Sequence, residues 1–270
     1  MPNVLTIAGS DTLSGGGLQA DLKTFEIFDT FGLSVITSVA TLTTQQAFSI
    51  HSLPSAIILE QLNAILTQVP LTHLKIGLVN NAQTLTAVVD LLAQYPALTI
   101  VVDPVLAFKE GHTTIDPDYL AVLKNELLPL ATLVTPNLPE AAILSHQPTL
   151  ATQADLESAA TTIQAYGVQN VVIKGGQRLN QPLALDLLKT PSQSMTFKAP
   201  LLPTTTINGA GCTFSAAITA GLAQGLTIQS AVAVAKKFVY RGIQAGIQFE
   251  NGTGSVRQIH DFDFRKELKQ

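Results

Sequence analysis

NVLTIAGSDTLSGGGLQADLKTFEIF, residues 3–28, joins two periodicities through one loop. Asn3–Ala8 is a short, nearly continuous aliphatic run, the pattern of a strand covered on both faces. From Leu18 to Phe28 the apolar positions fall at Leu18, Leu22, Phe25 and Phe28, one stripe of a helix. The loop between them ends in three consecutive glycines. The same alternation recurs along the chain. Strands are predicted at Leu33–Leu42, His73–Ile76, Leu98–Val102, Ala131–Val134 and Asn170–Lys174, and helices at Ser55–Gln68, Gln83–Ala93, Pro117–Leu128, Pro139–Leu144 and Gln153–Tyr166. Two weaker strands, Ala184–Leu188 and Ser194–Lys198, read as a hairpin or meander, and Gly211–Gln224 and Ile228–Gly246 close the chain as helices. Buried strands alternating with helices predict an α/β fold, a mostly parallel sheet between two helical layers. No linker, charge block or internal repeat interrupts residues 1–270, which read as one domain.

Composition narrows the function. Hydrophobic residues make up 46% of the 270 and charged residues only 13%, which excludes disorder and leaves ample apolar surface for a core. Fifteen basic against 19 acidic residues give a net charge of −4, so there is no electrostatic footprint for nucleic acid. The one basic cluster is Lys236, Lys237 and Arg241. Cys212 is the only cysteine, so neither a disulfide within the chain nor a thiolate metal cage can form. No apolar run approaches the roughly 18 residues of a membrane span, and the opening MPNVLTIAGSD lacks the features of a signal peptide, so a cytoplasmic protein is expected. Low surface charge is consistent with a homodimer.

In such a sheet, chemistry belongs on the loops beyond the carboxyl ends of the strands. Four loops qualify. Gly9–Asp21 brings Asp11 and three glycines to the start of a helix, as a small-ligand loop or as a turn capped by Asp11. Gly15, Gly17 and Ala20 also fit a dinucleotide pattern, but the loop is too long and no acidic ribose ligand ends the next strand, which disfavours a dehydrogenase. Asn137 and Glu140 share the first turn of a helix, where they suit a hydrated Mg²⁺ carried by phosphates or, equally, a helix cap. Lys174-Gly175-Gly176 places a cation before two unobstructed glycines. Gly209-Ala210-Gly211-Cys212-Thr213 precedes a long helix, whose N-terminus makes an anion site and is expected to depress the pKa of the Cys212 thiol. No Walker A pattern is present, so phosphate would be handled without a P-loop.

In this order, GSDTLSGGGLQADLKT (9–24), VVDPV (101–105), VTPNLPEA (134–141), VVIKGG (171–176) and NGAGCTFSAAITAGLAQG (208–225) resemble the ribokinase-like superfamily in its vitamin-kinase branch, over essentially the whole chain. The resemblance implies ATP and Mg²⁺ as cofactors, with room for a monovalent cation. It implies an anion hole at Gly209, Ala210 and Gly211, with Cys212 as the base that takes the substrate's hydroxyl proton. Asn137, Glu140, Lys174, Gly175, Gly176, Thr213 and Lys236 would face the nucleotide, and Asp103 with Glu140 the metal. Asp11, Gly17, Gln45, Gly77 and Leu78 would line an aromatic substrate's pocket, under a lid at Phe108, Lys109 and Gly111. A homodimer is implied as well.

The branch contains pyridoxal kinases and hydroxymethylpyrimidine/phosphomethylpyrimidine kinases. GAGCTFSAA is more similar to the first and Gln45 to the second. The expectation is therefore ATP-dependent phosphorylation of the 5′-hydroxymethyl group of pyridoxal, with the pyrimidine kinase of thiamine synthesis as the alternative. A non-catalytic vitamin-binding protein on the same scaffold is a third reading, disfavoured because the anion loop and the metal pair are both present.

Overall fold

The computed structural model describes residues 1–42, 48–106, 116–176, 179, 183–250, 252–259 and 262–267. In chain order the elements are β1 (Asn3–Asp11), α1 (Gly17–Ile27), β2 (Phe31–Leu42), β3 (Phe48–Ser52), α2 (Ser55–Gln68), β4 (His73–Ile76), α3 (Ala82–Leu92), β5 (Thr99–Val102) and α4 (Pro117–Val122). A π-helical turn (Leu123–Leu127) leads to α5 (Leu128–Leu130), β6 (Leu133–Val134), α6 (Leu138–Ser145), α7 (Gln153–Gln164), β7 (Asn170–Gly176), β8 (Leu183–Lys189) and β9 (Ser194–Pro200). The chain continues through α8 (Ala210–Ala223), α9 (Ile228–Gln244), β10 (Ile247–Gln248), β11 (Gly254–Ser255) and α10 (Phe264–Glu267).

Among the described residues, nine strands form one sheet in the order β3-β2-β1-β4-β5-β6-β7-β8-β9. The run from β2 to β7 is parallel, and β3 at one edge and β8 and β9 at the other are antiparallel. The period-2 alternation of each strand divides the core into two layers. Leu5, Ile7, Ile100, Val102, Val171 and Ile173 pack with residues of α2, α3, α6 and α7. Val4, Val101, Leu133 and Val172 point the other way, against α1, α8 and α9. Both faces are thus covered, as continuous apolar strands require.

The predicted elements are present with ends shifted by a few residues at most, but one helix is interrupted, and β3, the β10–β11 ladder and α10 are additional. Helix Pro117–Leu128 is not continuous: its second half widens into the π turn. Pro129 follows within α5, where it lacks an N–H and its ring crowds the carbonyl four residues back, so the widened turn absorbs the misfit. Strand β3 was not anticipated. Nor was the short β10–β11 ladder, which runs beside the α8 entry through an Asn208–Ser255 bridge.

The parallel run fixes the position of the site. The carboxyl ends of β1, β4, β5, β6 and β7 open on one edge of the sheet, and the N-terminus of α8 meets them there.

Candidate functional site at the carboxyl edge of the sheet

Two glycine-rich loops nest into each other at this edge. Gly209 caps α8 with φ +79°, and a methyl group there would stand 1.5 Å from the Gly15 carbonyl oxygen. Gly17 has φ +57°, with its missing methyl 2.2 Å from the Gly9 oxygen. Only glycine satisfies both the left-handed backbone and the approach. Asp11 organises the first loop: its carboxylate accepts the N–H groups of Leu13, Gly15 and Gly16 at 3.0, 3.1 and 2.8 Å. It is therefore the hub of a turn and not the cap of α1, which Gly16 provides without a side-chain bond. A methyl on Gly16 would lie 3.7 Å from Asp11 Oδ2 and 3.8 Å from Cys212 Sγ, so carboxylate and thiol flank the same glycine.

Lys174, near the end of β7, reaches the first turn of α8, where a methyl on Gly211 would stand 3.3 Å from its Nζ. It donates to Asp103 Oδ1 at 2.6 Å. Asp103 follows β5 and also accepts from Ser215 Oγ at 2.9 Å and Thr135 Oγ1 at 3.3 Å. Burial alone would push the Asp103 carboxyl up, but Lys174 and Lys75 outweigh it and hold the group below its ordinary range. A second pair lies deeper. Lys75 of β4 donates to Asp21 Oδ1 of α1 at 2.5 Å, Thr6 Oγ1 donates to the other oxygen at 2.6 Å, and both charged side chains are essentially inaccessible. Burial would lower the Lys75 pKa, yet Asp21, Cys212 and Asp103 together raise it well above the usual lysine range. Burial also pushes the Asp21 carboxyl up, against Lys75 and Thr6, which lower it.

Cys212 corrects the sequence-based expectation. Its thiol pKa is raised, not depressed: burial penalises the thiolate, and Asp103 and Asp21 add to that, against Lys75 and a hydrogen bond from the Gly17 N–H. The positive field of the α8 N-terminus was expected to dominate, but desolvation is the larger effect.

Asn137 and Glu140 form a capping box on α6, the Asn137 side chain accepting from the Glu140 N–H at 3.1 Å and Glu140 Oε2 from the Asn137 N–H at 2.8 Å. Glu140 is nevertheless more than a cap. It is 3% exposed, and its carboxyl is pushed up to about 7 by burial, with Lys174 opposing and Asp103 adding. Among the described residues no three His, Cys, Asp or Glu side chains converge as a metal cage. Asp103, Asn137 and Glu140 are hard oxygen donors that already hold protein partners. They fit a hydrated Mg²⁺ brought by phosphates better than an ion held by protein alone.

The other predicted residues divide. Gly77 and Leu78 lie at this edge, the Gly77 N–H donating to the Ile7 oxygen at 2.8 Å and the Leu78 oxygen accepting from Thr37 Oγ1 at 2.6 Å. Gly175 is held by packing, since a methyl there would meet the Leu185 oxygen at 2.2 Å, whereas Gly176 is open on that side. Thr213 is fully buried and its hydroxyl accepts from Gln258 Nε2 at 2.9 Å, so it braces α8. Lys236 of α9 pairs with Asp186 of β8 at 2.6 Å, and Asp186 lies opposite Lys174 in the β7–β8 register. Gln45, Phe108, Lys109 and Gly111 lie outside the described residues. Asp21, Lys75, Thr135 and Ser215 were not singled out from sequence. The available signal was a lysine inside a strand otherwise buried on both faces, which demands an anionic partner.

Known proteins share this fold and much of this sequence. The family profile described as Phosphomethylpyrimidine kinase matches residues 11–257. The hydroxymethylpyrimidine/phosphomethylpyrimidine kinase of Haemophilus influenzae is 40% identical over 254 residues, 93% of this chain and 94% of that protein. Among solved structures, the pyridoxal kinase from Staphylococcus aureus in complex with AMP-PCP has a TM-score of 0.90 at 36% identity, over 96% of this chain and 93% of that one. The phosphomethylpyrimidine kinase from Clostridium difficile has a TM-score of 0.78 at 34% identity, over 90% and 100%.

Proposed function

The chain belongs to the phosphomethylpyrimidine kinase family, and from that membership we propose that it transfers the γ-phosphoryl group of ATP to the hydroxymethyl group of an aromatic heterocycle, with hydroxymethylpyrimidine and its phosphate as the first substrates. The ordering drawn from sequence is thereby reversed, because curated relatives such as those of Haemophilus influenzae at 40% identity and Bacillus subtilis at 35% are named as pyrimidine kinases. The observation that carries the proposal is the Asp103–Lys174 pair set against the Gly211 turn. Phosphoryl transfer asks the protein mainly for positioning and for compensation of negative charge. In this reading the Gly209–Gly211 amides and Lys174 would meet the equatorial oxygens of the group in transit. Asp103 and Glu140 would hold Mg²⁺ through the phosphates; when bound, that ion supplies further neutralisation of charge.

Cys212 is the group we assign to receive the hydroxyl proton. With its pKa raised, thiolate is scarce at neutral pH but strongly basic once formed, and a loose transition state needs the proton removed only late. A groove of about 550 Å³ between Leu202–Thr206 and the end of α9, lined in part by Pro203, Ile243 and Gln244, adjoins the entry to α8 and is assigned to the base and ribose of ATP. No described helix is long and apolar enough to cross a membrane, and a cytoplasmic homodimer belongs to the same proposal.

A second reading, pyridoxal as substrate, is favoured by one observation, the closer superposition on a pyridoxal kinase than on a pyrimidine kinase at similar identity. The deciding experiment is ATP consumption by the purified protein with Mg²⁺, with hydroxymethylpyrimidine and pyridoxal at matched concentrations and the product identified. Preferential turnover of the pyrimidine supports the proposal, and turnover confined to pyridoxal replaces it with the second reading. Inactivity with both compounds overturns the assignment of an active kinase.

A further inference from the structure

Among the described residues, Asp21–Lys75 is the least exposed ion pair, and the reaction just described does not use it. Side-chain exposures are 1% for Lys75 and 0% for Asp21. Two ions removed from water contribute little net stability compared with apolar residues of similar size, so a pair in this position calls for a reason other than folding. Its surroundings supply one. Asp21 lies in the second turn of α1, directly after the glycine loop, and Thr6 of β1 ties its second oxygen to the sheet. On the opposite side, Lys75 Nζ approaches the Cys212 carbonyl oxygen at 3.5 Å. Ser215 Oγ stands 3.1 Å from that carbonyl oxygen and 2.9 Å from Asp103 Oδ2, with a single proton to share between the two acceptors. One ammonium group therefore joins β4, α1 and the first turn of α8, and through Ser215 it reaches the carboxylate that holds Lys174.

We infer that Lys75 is a positioning residue for phosphoryl transfer: through Asp21 and the Cys212 carbonyl it fixes the anion-binding turn of α8 against the glycine loop, with Sγ and the Gly211 backbone at the height the transferred group requires. The inference rests on the kinase chemistry proposed above but not on which heterocycle is used. Its charge matters as well as its reach, because Lys75 is the cation that counters Asp103 and Asp21 around Cys212. A misplacement of about 1 Å at such a turn costs on the order of a hundredfold in rate while leaving ligand contacts in place.

The test uses the full chain and whichever heterocycle the parent protein phosphorylates. Replacing Lys75 by Met alone strands a buried carboxylate, so the informative protein is the double variant Asp21→Asn with Lys75→Met, which removes both charges at nearly constant volume. It is expected to melt within a few degrees of the parent, with kcat lower by about a hundredfold and KM for ATP and heterocycle within about threefold. The pH profile of Cys212 alkylation by iodoacetamide is expected to shift to higher pH in the same variant, a change of midpoint that altered packing access alone would not produce. The single variant Asp21→Asn keeps the cation and loosens its anchor, and is expected to lose about tenfold in kcat. A double variant that folds and turns over within threefold of the parent overturns the inference. So does a loss of kcat in Asp21→Asn that only tracks its loss of folded protein, which would make the pair a purely structural brace. Absence of turnover in the parent protein would instead fail the kinase reading, and is thereby distinguished from either result.

Discussion

Two Asp–Lys pairs lie at different depths of the same sheet, with their lysines on β4 and β7. Asp21–Lys75 is sealed, with its partners fixed on three sides by Thr6, Asp21 and the Cys212 carbonyl. Asp103–Lys174 is built with nearly the same distance but opens to the edge of the sheet, Lys174 retaining 14% of its side-chain exposure over the Gly211 turn. The difference lies in depth, not in chemistry. A cation whose contacts are saturated inside the protein can hold elements in register but cannot meet an incoming phosphate. A cation at the mouth of a glycine turn can do so, and its carboxylate partner keeps it aligned until then. Depth within the sheet therefore separates a frame from a group open to a ligand.

The most direct way to break this contrast is to remove each cation in turn. Lys75→Met leaves the Asp21 carboxyl unpaired in the interior, and a loss of about 3–5 kcal/mol in urea unfolding is expected. Lys174→Met leaves the buried Asp103 with Ser215 and Thr135 as donors, so a smaller unfolding penalty than for Lys75→Met is expected, and the main cost should appear in turnover, with kcat/KM reduced by about a thousandfold. Equal unfolding penalties for the two variants would erase the distinction between frame and working group.

How much of this could be read from sequence depends on the kind of signal. Runs such as Val101–Val102 and Val171–Ile173 are apolar on both faces and flanked by turns, so they announced a parallel sheet, and the loops after them were found because glycines and charges are rare inside such strands. The Gly209 turn was legible for the same reason. Lys75 and Asp21 were not, because each is a single charge within an otherwise ordinary strand or helix, and their partnership exists only after 54 residues of chain have folded back. The π turn at Leu123–Leu127 escaped because its cause, Pro129, follows it and the apolar spacing before it remains helical. Cys212 was placed correctly and its acidity misjudged: a helix N-terminus can be recognised in sequence, whereas the degree of burial around a thiol cannot.

Cys212 provides a second, smaller test, since it lies between the two pairs. Cys212→Ala is expected to lower kcat by about a hundredfold, near the bottom of the range for general acid–base catalysis, because the raised thiol pKa makes the base scarce. Calorimetric binding of the heterocycle should be largely kept. Unchanged turnover would refute the base assignment and leave proton removal to solvent or phosphate.

The smallest effect is a slope with pH, and it belongs to the open side alone. Glu140 carries a folded-state pKa of about 7 against an ordinary value of 4.5, with burial as the main cause. Below pH 4.5 the group is protonated in both states and its contribution is fully present. As pH rises toward 7 the unfolded chain releases a proton that the folded protein retains, so stability falls, by about 1 kcal/mol per pH unit, until the folded group also ionises. Glu140→Gln remains neutral throughout and can still accept the Asn137 N–H, so its stability should lack this component. Urea unfolding of both proteins from pH 5 to pH 7, without Mg²⁺ or nucleotide, isolates the difference, since every other carboxylate is common to the two. Curves that run parallel would mean that Glu140 is ionised already at pH 5 and that Lys174, not burial, governs it. The open pair would then stand in a locally neutralised site even before any phosphate arrives, and the contrast with the sealed pair would narrow to geometry.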